Sequence, residues 1–433
     1  MFDLIVRGGT VVTPSGVTTA DVGVLDGAIA AVERELAGGA REELDAAGLH
    51  VFPGGLDPHV HFNEPGRTHW EGLQTGTAAL AAGGFTAFFD MPLNSSPPVI
   101  DGAAFDAKLQ AARASARVDY GFWGGLVPGN VEHLADLAER GAVGFKAFMS
   151  NSGIDEFARA DDVTLYEGMA ECARLGKLVA VHAENEALTA RPSGSSARAF
   201  MASRPIVAEV EAIGRAIAFA EDTGCALHIV HVSSARGVAL VAEARTRGVD
   251  VTCETCPHYL WLSQDDVETL GAVAKCAPPV RPDAERSKLW QLVKSGAVDM
   301  LTSDHSPSSP ELKAGDFAGA WGGIAGCQTT LTLLLSERDG LALEQVARLV
   351  SGGAARRFGM PRKGRIEVGA DADLALVDLG AKFRLSADDL QYRHKLSPWL
   401  GRRLRARVTR TLLRGAEAWP EPKAAPRLLT PSL

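Results

Sequence analysis

The sequence predicts an α/β fold, in which a closed (β/α)₈ barrel of the TIM type carries a small β-sandwich built from both termini. Between about residues 51 and 360, eight short apolar segments alternate with alanine-rich helical segments. Nearly continuous apolar strands that alternate with helices indicate a parallel sheet covered on both faces. Eight strands favour a closed barrel over an open sheet, and the chain has no GxGxxG turn or phosphate-binding loop that would favour the open alternatives.

The eight predicted strands share one pattern, an apolar run that gives way to polar residues. In chain order they are HVFPGGLDPHVHF, FTAFFDMP, VDYGFWGGL, AVGFKAFM, LVAVHAE, ALHIVHVS, VDVTCETCPHYL and VDMLTSDHS. Segments such as EHLADLAERG and VEAIGRAIAFAEDTG lie between them, with apolar residues at helical spacing and a glycine at the end. This alternation predicts one strand and one helix per unit.

The two flanks have strand patterns without amphipathic helices. Residues 1–50 contain short apolar runs with glycine turns, and similar runs return in GRIEVGADADLALVDLG and ARVTRTLLRGAEAW. Alternating apolar residues in GRRLRARVTRTLLRG indicate a solvated strand face. Neither flank is large enough for its own core, so 1–50 and 361–433 are expected to form one β-sandwich beside a barrel spanning 51–360.

Composition narrows the class of protein. The 433 residues are 46% hydrophobic and 22% charged, with a net charge of −9, which argues against nucleic acid or an anionic membrane as partner. No segment approaches the roughly 18 apolar residues of a membrane span, and the N-terminus lacks a signal-peptide pattern. Six dispersed cysteines indicate reduced thiols, so we expect a cytoplasmic protein.

Two histidines, His59 and His61, stand at the end of the first predicted strand. Residues two apart in a strand project to the same face, so both imidazoles enter one space. An HxH pair alone is more often a polar strand end than a metal site. The metal interpretation therefore needs further ligands.

Four other strands supply those ligands. Lys146 lies within GFKAF, His182 and His231 end the fifth and sixth strands, and Asp304 follows the eighth. The active sites of such barrels lie where the strands end, so these side chains are expected to converge. Imidazole nitrogen and carboxylate oxygen suit zinc or a similar divalent ion. A buried lysine beside cations loses its proton, and the neutral amine can add carbon dioxide to give a carbamate.

The chain resembles the cyclic amidohydrolases, which include dihydroorotases, hydantoinases and allantoinases. The resemblance runs through HVHFNEPG, GGFTAFFDMPLNSSP, GFKAF, VHAEN, HVSS, CETCPHYL, TSDHSP and GRIEVGADADLALVD. It implies a metal-dependent barrel with a terminal β-sandwich, assembled as a homotetramer. It also implies two divalent ions, with zinc the first expectation, bridged by a hydroxide and by the N6-carboxylated lysine. The implied ligands are His59, His61, Lys146, His182, His231 and Asp304.

At two positions this chain differs from other branches of the family, and these differences indicate which substrate it binds. Dihydroorotases typically have an arginine two residues after HxH to bind the substrate carboxylate, and Asn63 stands there instead. Hydantoinases usually have a tyrosine five residues after the lysine, where this chain has Asn151. The stretches HFNEPGRTHWEG, KCAPPVR, AWGGIAG and YRHKLSPW are similar to the allantoinase branch. That likeness implies hydrolysis of the hydantoin ring of allantoin to allantoate in purine catabolism.

The resemblance also assigns roles to individual residues. Asp304 would accept a proton during attack and return it to the leaving ring nitrogen. Glu184 and His258 are candidates to orient the metal ligands, or are buried polar groups satisfied elsewhere. The expected substrate contacts are Asn63, Asn94, Cys276, Ser306 and Gly322.

Two rival interpretations remain. The first is a hydantoinase or dihydropyrimidinase acting on a different ring. The second is a non-catalytic scaffold descended from such enzymes, which would be marked by lost ligands, and none is lost here.

Overall fold

The computed structural model describes residues 1–189, 194–336 and 340–432. The strands are β1 (Phe2–Thr13), β2 (Gly16–Leu25), β3 (Ala28–Glu33), β4 (Ala40–Asp45), β5 (His50–Pro53), β6 (Gly55–Val60), β7 (Phe85–Asp90), β8 (Asp119–Phe122), β9 (Gly124–Gly125), β10 (Phe145–Phe148), β11 (Val179–His182), β12 (Leu227–Ile229), β13 (Val251–Thr255), β14 (Met300–Leu301), β15 (Leu374–Arg384), β16 (Arg403–Leu413) and β17 (Ala416–Trp419).

The α-helices are α1 (Leu73–Ala82), α2 (Gly102–Ser115), α3 (Leu134–Glu139), α4 (Asp162–Arg174), α5 (Ala197–Ala202), α6 (Ile206–Thr223), α7 (Ala235–Thr246), α8 (Pro257–Trp261), α9 (Gln264–Leu270), α10 (Asp283–Lys294), α11 (Thr330–Ser336), α12 (Leu343–Ala347) and α13 (Gly353–Arg357). A π-helical turn, Arg348–Gly352, joins the last two. Among the described residues, no helix combines the length and apolarity needed to cross a membrane.

Strands from both ends of the chain form one sheet. Its order is β17-β16-β15-β5-β1-β2-β3, with β4 also paired to β1. Within it β15 runs antiparallel to both β5 and β16, so the C-terminal strands complete a sheet that the N-terminal strands begin. Strand β16 alternates exposed and buried residues along its first half, as its sequence predicted.

The central strands are parallel and fall into two sheets, β6-β7-β8 and β14-β13-β12-β11-β10-β9. Helices follow most of them, so the predicted α/β class with parallel strands is confirmed. Beyond the ends of β6 and β14, the backbone N–H of His61 donates to the carbonyl of His305 at 2.8 Å, and Val60 and His305 form a parallel bridge.

Three of the predicted strands differ in detail. The first is divided, because β5 joins the terminal sheet while β6 pairs with β7. The third breaks at Trp123, between β8 and β9. The seventh ends at Thr255, because Pro257 begins a helical turn and has no N–H for a strand ladder.

An aromatic cluster packs against the parallel strands. The ring of Phe358, just after α13, lies edge-on against Phe89 and Trp123, at 5.3 Å between centroids in each case. The indole of Trp123 also donates to the carbonyl of Pro58 at 2.8 Å. These contacts join the end of α13 to β6, β7 and the break between β8 and β9.

A buried ion cluster joins the terminal sheet to the parallel strands. The ammonium of Lys363 lies 2.7 Å from Asp119, 3.0 Å from Asp371 and 2.6 Å from Asp373. Asp119 begins β8 and also accepts the backbone N–H of Arg427 at 2.8 Å. The three carboxylates are close enough to suit a cation, and Lys363 already supplies one.

Replacing Lys363 tests this cluster. Lys363→Met leaves buried carboxylates without their shared cation, so we expect the free energy of unfolding to fall by about 3–5 kcal/mol in urea titrations. Arg174→Met is the control, because it breaks a largely exposed pair with Glu171 and should change stability by about 0.5 kcal/mol or less. Equal losses in the two variants would contradict the structural role of the cluster.

Candidate metal centre

The first part of the site is the predicted HxH pair together with Asp304. His59 lies in β6 and His61 just beyond it, while Asp304 follows β14. The Nε2 atoms of His59 and His61 lie 3.3 Å and 3.5 Å, respectively, from the same carboxylate oxygen of Asp304. The expected convergence of these three residues is therefore present.

The second part is a pair of histidines from neighbouring strands. His182 ends β11 and His231 lies two residues after β12, and His182 Nδ1 lies 3.0 Å from His231 Nε2. The His231 ring is also 5.4 Å from that of His59, centroid to centroid. The four imidazoles therefore form one continuous buried cluster.

Lys146 lies on β10 next to this cluster and is fully buried. Its Nζ has no hydrogen-bond partner among the described residues, and it lies 4.9 Å from the centroid of Phe148, whose ring stacks on His182. A buried polar atom without a partner requires an explanation, and an absent ion or modification is one. The amine is thus available for the carbamate expected from the sequence.

Burial determines the charge state of the cluster. It lowers the pKa of Lys146 to about 7, against the opposing effects of Glu254 and Asp304. It also lowers the pKa of His231 well below its usual range, with His182 and Lys146 adding to the effect. Burial opposes ionisation of Asp304, but His59 and His61 lower its pKa to about 2. Burial lowers the pKa of His61 and His182 as well, and neutral imidazoles beside an ionised carboxylate are the forms that ligate cations.

Glu254 contacts the histidine cluster through a buried carboxylate, and the sequence did not identify it as part of the site. Its carboxylate contacts His59 Nδ1, lies 3.1 Å from His228 Nε2 and accepts the backbone N–H of His231 at 3.2 Å. A single carboxylate inside the buried strand VTCETC was the available signal. Its partners could not be inferred, because they lie on other strands.

Glu184 orients His182, as one of the two interpretations of the sequence expected. Its carboxylate lies 2.8 Å from His182 Nε2 and pairs with Arg204. His258, the other candidate, is buried, and its Nε2 has no partner among the described residues. Burial lowers the pKa of His258 to about 4, so this ring is neutral.

Several residues at this end have left-handed backbone angles. The φ values are 65° for Asn63, 69° for Asn94, 38° for His231 and 43° for Asp304. Such angles are unfavourable for residues other than glycine and concentrate at functional sites. They turn the chain sharply at the strand ends, where the side chains must face inward.

A cleft of about 330 Å³ opens above the cluster. His59, His61, His182, His231 and Asp304 line it, as do the predicted contact residues Asn94, Cys276, Ser306 and Gly322, and Asn151. Asn63 lies deeper: its side chain is buried and donates to the carbonyl of Pro307 at 3.3 Å, while its Oδ1 has no partner among the described residues.

The residues present fit a metal centre. The rings of His61 and His231 each have a buried Nδ1 without a partner in the described part of the chain. The buried Nζ of Lys146 also has no partner there. One ligand atom from each of His59, His61 and Asp304 falls within a common span of 4.8 Å. Nitrogen and carboxylate donors of this kind suit zinc and similar divalent ions.

Comparison with known proteins identifies the family. The amidohydrolase family matches residues 50–416 of the chain. The chain belongs to the amidohydrolase family. The match begins at β5 and ends at β17, so it includes every strand end that carries a candidate ligand.

Individual relatives agree with this assignment. An allantoinase of Rubrobacter xylanophilus is 59% identical over 96% of this chain and 93% of that protein, and an allantoinase of Solibacter usitatus is 54% identical over the same shares. Among solved structures, the L-hydantoinase (dihydropyrimidinase) of Arthrobacter aurescens has a TM-score of 0.93 and 35% identity, covering 96% of each chain. The family member described here is thus similar to these cyclic amide hydrolases over 96% of its length.

Glu254→Gln tests how the histidine cluster is held. The amide keeps the size of the side chain but removes the charge that orients His59, so we expect affinity for divalent ions to fall by about 10–100-fold in titration calorimetry. Glu285→Gln is the control, because this buried carboxylate accepts the N–H of Ala235 at 2.8 Å and contacts none of the four imidazoles. Unchanged affinity in Glu254→Gln would show that the histidines are held without it.

Proposed function

We propose that the protein is an allantoinase, a cyclic amide hydrolase that opens the hydantoin ring of allantoin to give allantoate. One observation carries the proposal: five of the six side chains expected of the metal site line one cleft and Lys146 is buried beside them, in a chain similar to allantoinases over 96% of its length. Purine catabolism is the process in which this reaction belongs.

The proposed metal ligands divide into two sets that share Lys146. His59, His61 and Asp304 would hold one divalent ion, and His182 and His231 a second, and the carbamate of Lys146 would be a ligand of both. Zinc is the first choice of metal from the donor set. When bound, such ions polarise a carbonyl and make water nucleophilic near neutral pH.

Asp304 is the proposed proton carrier. Its carboxylate is ionised, it faces the cleft, and its backbone is fixed in a left-handed turn. It can accept the proton that water loses during attack on the ring carbonyl and then donate it to the ring nitrogen that leaves. The same oxygen therefore serves as base first and acid second.

The proposed substrate contacts are polar and uncharged. Asn94, Ser306, Cys276 and the Gly322 peptide line the cleft, and Asn63 lies below it. A neutral ring with amide and urea groups needs donors and acceptors, whereas a substrate carboxylate would need a cation. Asn63, where dihydroorotases have arginine, supports a substrate without a carboxylate.

We also propose the finer points of architecture and assembly. The parallel bridge between Val60 and His305 supports closure of the two parallel sheets into one eight-stranded barrel over 51–360, with β8 and β9 as a single bent strand. Residues 1–50 and 361–433 would form the β-sandwich, with residue 433 outside the described part. A cytoplasmic homotetramer is our expectation from the resemblance.

Turnover of a substrate panel tests the proposed function. We expect the purified protein to hydrolyse allantoin with a kcat/KM at least about 100-fold above those for hydantoin, dihydrouracil and dihydroorotate, because specific polar contacts discriminate strongly between rings. Hydantoin and dihydrouracil test the rival suggested by the hydantoinase likeness. Preference for either would replace allantoinase with that activity, and no turnover of any ring would favour the scaffold.

Lys146→Ala tests the bridging role. The variant should retain less than about 1% of activity, since removal of a group acting directly at the reacting centre costs two or more orders of magnitude. Acetate or propionate in excess should restore part of it, because a free carboxylate can occupy the vacated space. Full activity with alanine at this position would rule out the proposed centre.

A further inference from the structure

A loop at the rim of the cleft, residues 314–323, has an unusual distribution of backbone hydrogen bonds. In its last five residues, the N–H groups of Gly319, Ala320, Trp321 and Gly323 all donate within the protein. The N–H and the carbonyl of Gly322 have no partner among the described residues, although Gly322 lines the cleft. One peptide group is thus left free where a ligand would bind.

Lys313 holds the last part of this loop. Its Nζ lies 2.9 Å from the carbonyl of Trp321, 2.6 Å from that of Gly323 and 3.1 Å from that of Ala272. An ammonium group has three N–H donors, so all three are used on backbone carbonyls. Two of these carbonyls flank Gly322 on either side.

Lys275 holds the preceding part. Its Nζ lies 2.9 Å from the carbonyl of Ala318 and 2.6 Å from that of Ala320, and its own carbonyl accepts the N–H of Gly323 at 2.7 Å. The same ammonium lies 4.8 Å from the ring centroid of Phe200. Lys275 therefore fixes the loop through both its side chain and its backbone.

Neither lysine is there to neutralise a carboxylate. No ion pair within 4.0 Å involves either ammonium in the described part of the chain. Burial lowers the pKa of each lysine, so both ammonium groups occupy the site at a cost. Five contacts to carbonyl oxygens offset that cost, and four of them are to this one loop.

Gly323 shows how closely the loop is seated. Its φ is 134°, and a side-chain carbon there would lie 2.2 Å from the carbonyl oxygen of Ser306. A carbon added at Gly322 would meet nothing within 4 Å. At Gly323 the loop therefore packs tightly against Ser306, in the segment that follows β14. At Gly322, the residue before it, the loop is open to the cleft.

We propose that Lys275 and Lys313 are positioning residues, which fix residues 318–323 so that the free peptide group of Gly322 is presented to the amide edge of the substrate ring. This proposal rests on the proposed function for the identity of the ring. Lys275 also lines the cleft, but the hydrogen bonds of both ammonium groups go to backbone carbonyls, so the proposed action of each lysine is through the carbonyls it holds.

The experiment compares Lys313→Met and Lys275→Met with Lys177→Met. The control removes a partly buried lysine that donates to one carbonyl, that of Ala142 at 3.1 Å, at the far end of β11. For allantoin, we expect each test variant to raise KM by about tenfold while kcat changes by less than about threefold, because a binding contact is weakened equally in the ground and transition states. The control should keep both constants, and all three should keep the metal content of the wild type.

Hydrogen–deuterium exchange without substrate gives an independent readout. Peptides covering 314–323 should exchange faster in both test variants and at the wild-type rate in Lys177→Met. Should Lys313→Met fail to fold, Lys275→Met, which loses two carbonyl contacts, is judged by the same criteria. Unchanged exchange together with unchanged KM overturns the proposal, as does a loss of kcat that follows lost metal.

The outcomes separate this proposal from the proposed function. Faster loop exchange in the variants of a protein that does not hydrolyse allantoin would support the positioning role and reject the allantoinase assignment. Allantoin turnover by the wild type, with neither exchange nor KM altered in the variants, would keep the assignment and reject the positioning role.

Discussion

The buried carboxylate of Glu254 joins three strands at the place where the histidines lie. It contacts His59 on β6, His228 on β12 and the backbone of His231, while it stands on β13 itself. An ionised group in such a position is stable only when its oxygens are satisfied, so the surrounding imidazoles and N–H group are fixed by the same requirement. The geometry of the candidate centre depends on this one side chain.

The two ends of the parallel strands differ in how their buried charged groups are paired. At one end, Lys363 lies among three aspartates, and the charges are matched by direct ion pairs that tie the terminal sheet to the strands. At the other end, the Lys146 amine has no such partner among the described residues. Matched charges suit a structural connection, whereas unmatched donors suit a site that a ligand completes.

The cleft presents backbone as well as side-chain groups. Asn94 and Ser306 contribute short polar side chains, while Lys275 and Lys313 use their ammonium groups on loop carbonyls. The four imidazoles therefore share the cleft with short polar side chains, with peptide groups of the loop and with the charged side chains of Arg204, Lys275 and Asp304. The likeness to allantoinases and to a hydantoinase is consistent with variations of such a lining on one shared framework.

By itself, the sequence determined the α/β class, the parallel strands and the strand ends that carry His59, His61, His182, His231 and Asp304. These follow from local patterns, since apolar periodicity identifies a strand and the residue after it is known from the chain. Only the tertiary structure decided which distant groups meet. Glu254 lies 195 residues from His59, and Lys313 lies 41 residues from Ala272. It also decided that Asn63 points to Pro307, that Thr255 ends its strand, and that the peptide group of Gly322 has no partner within the described part of the chain. Such pairings arise from packing between elements, and no periodicity within one element encodes them.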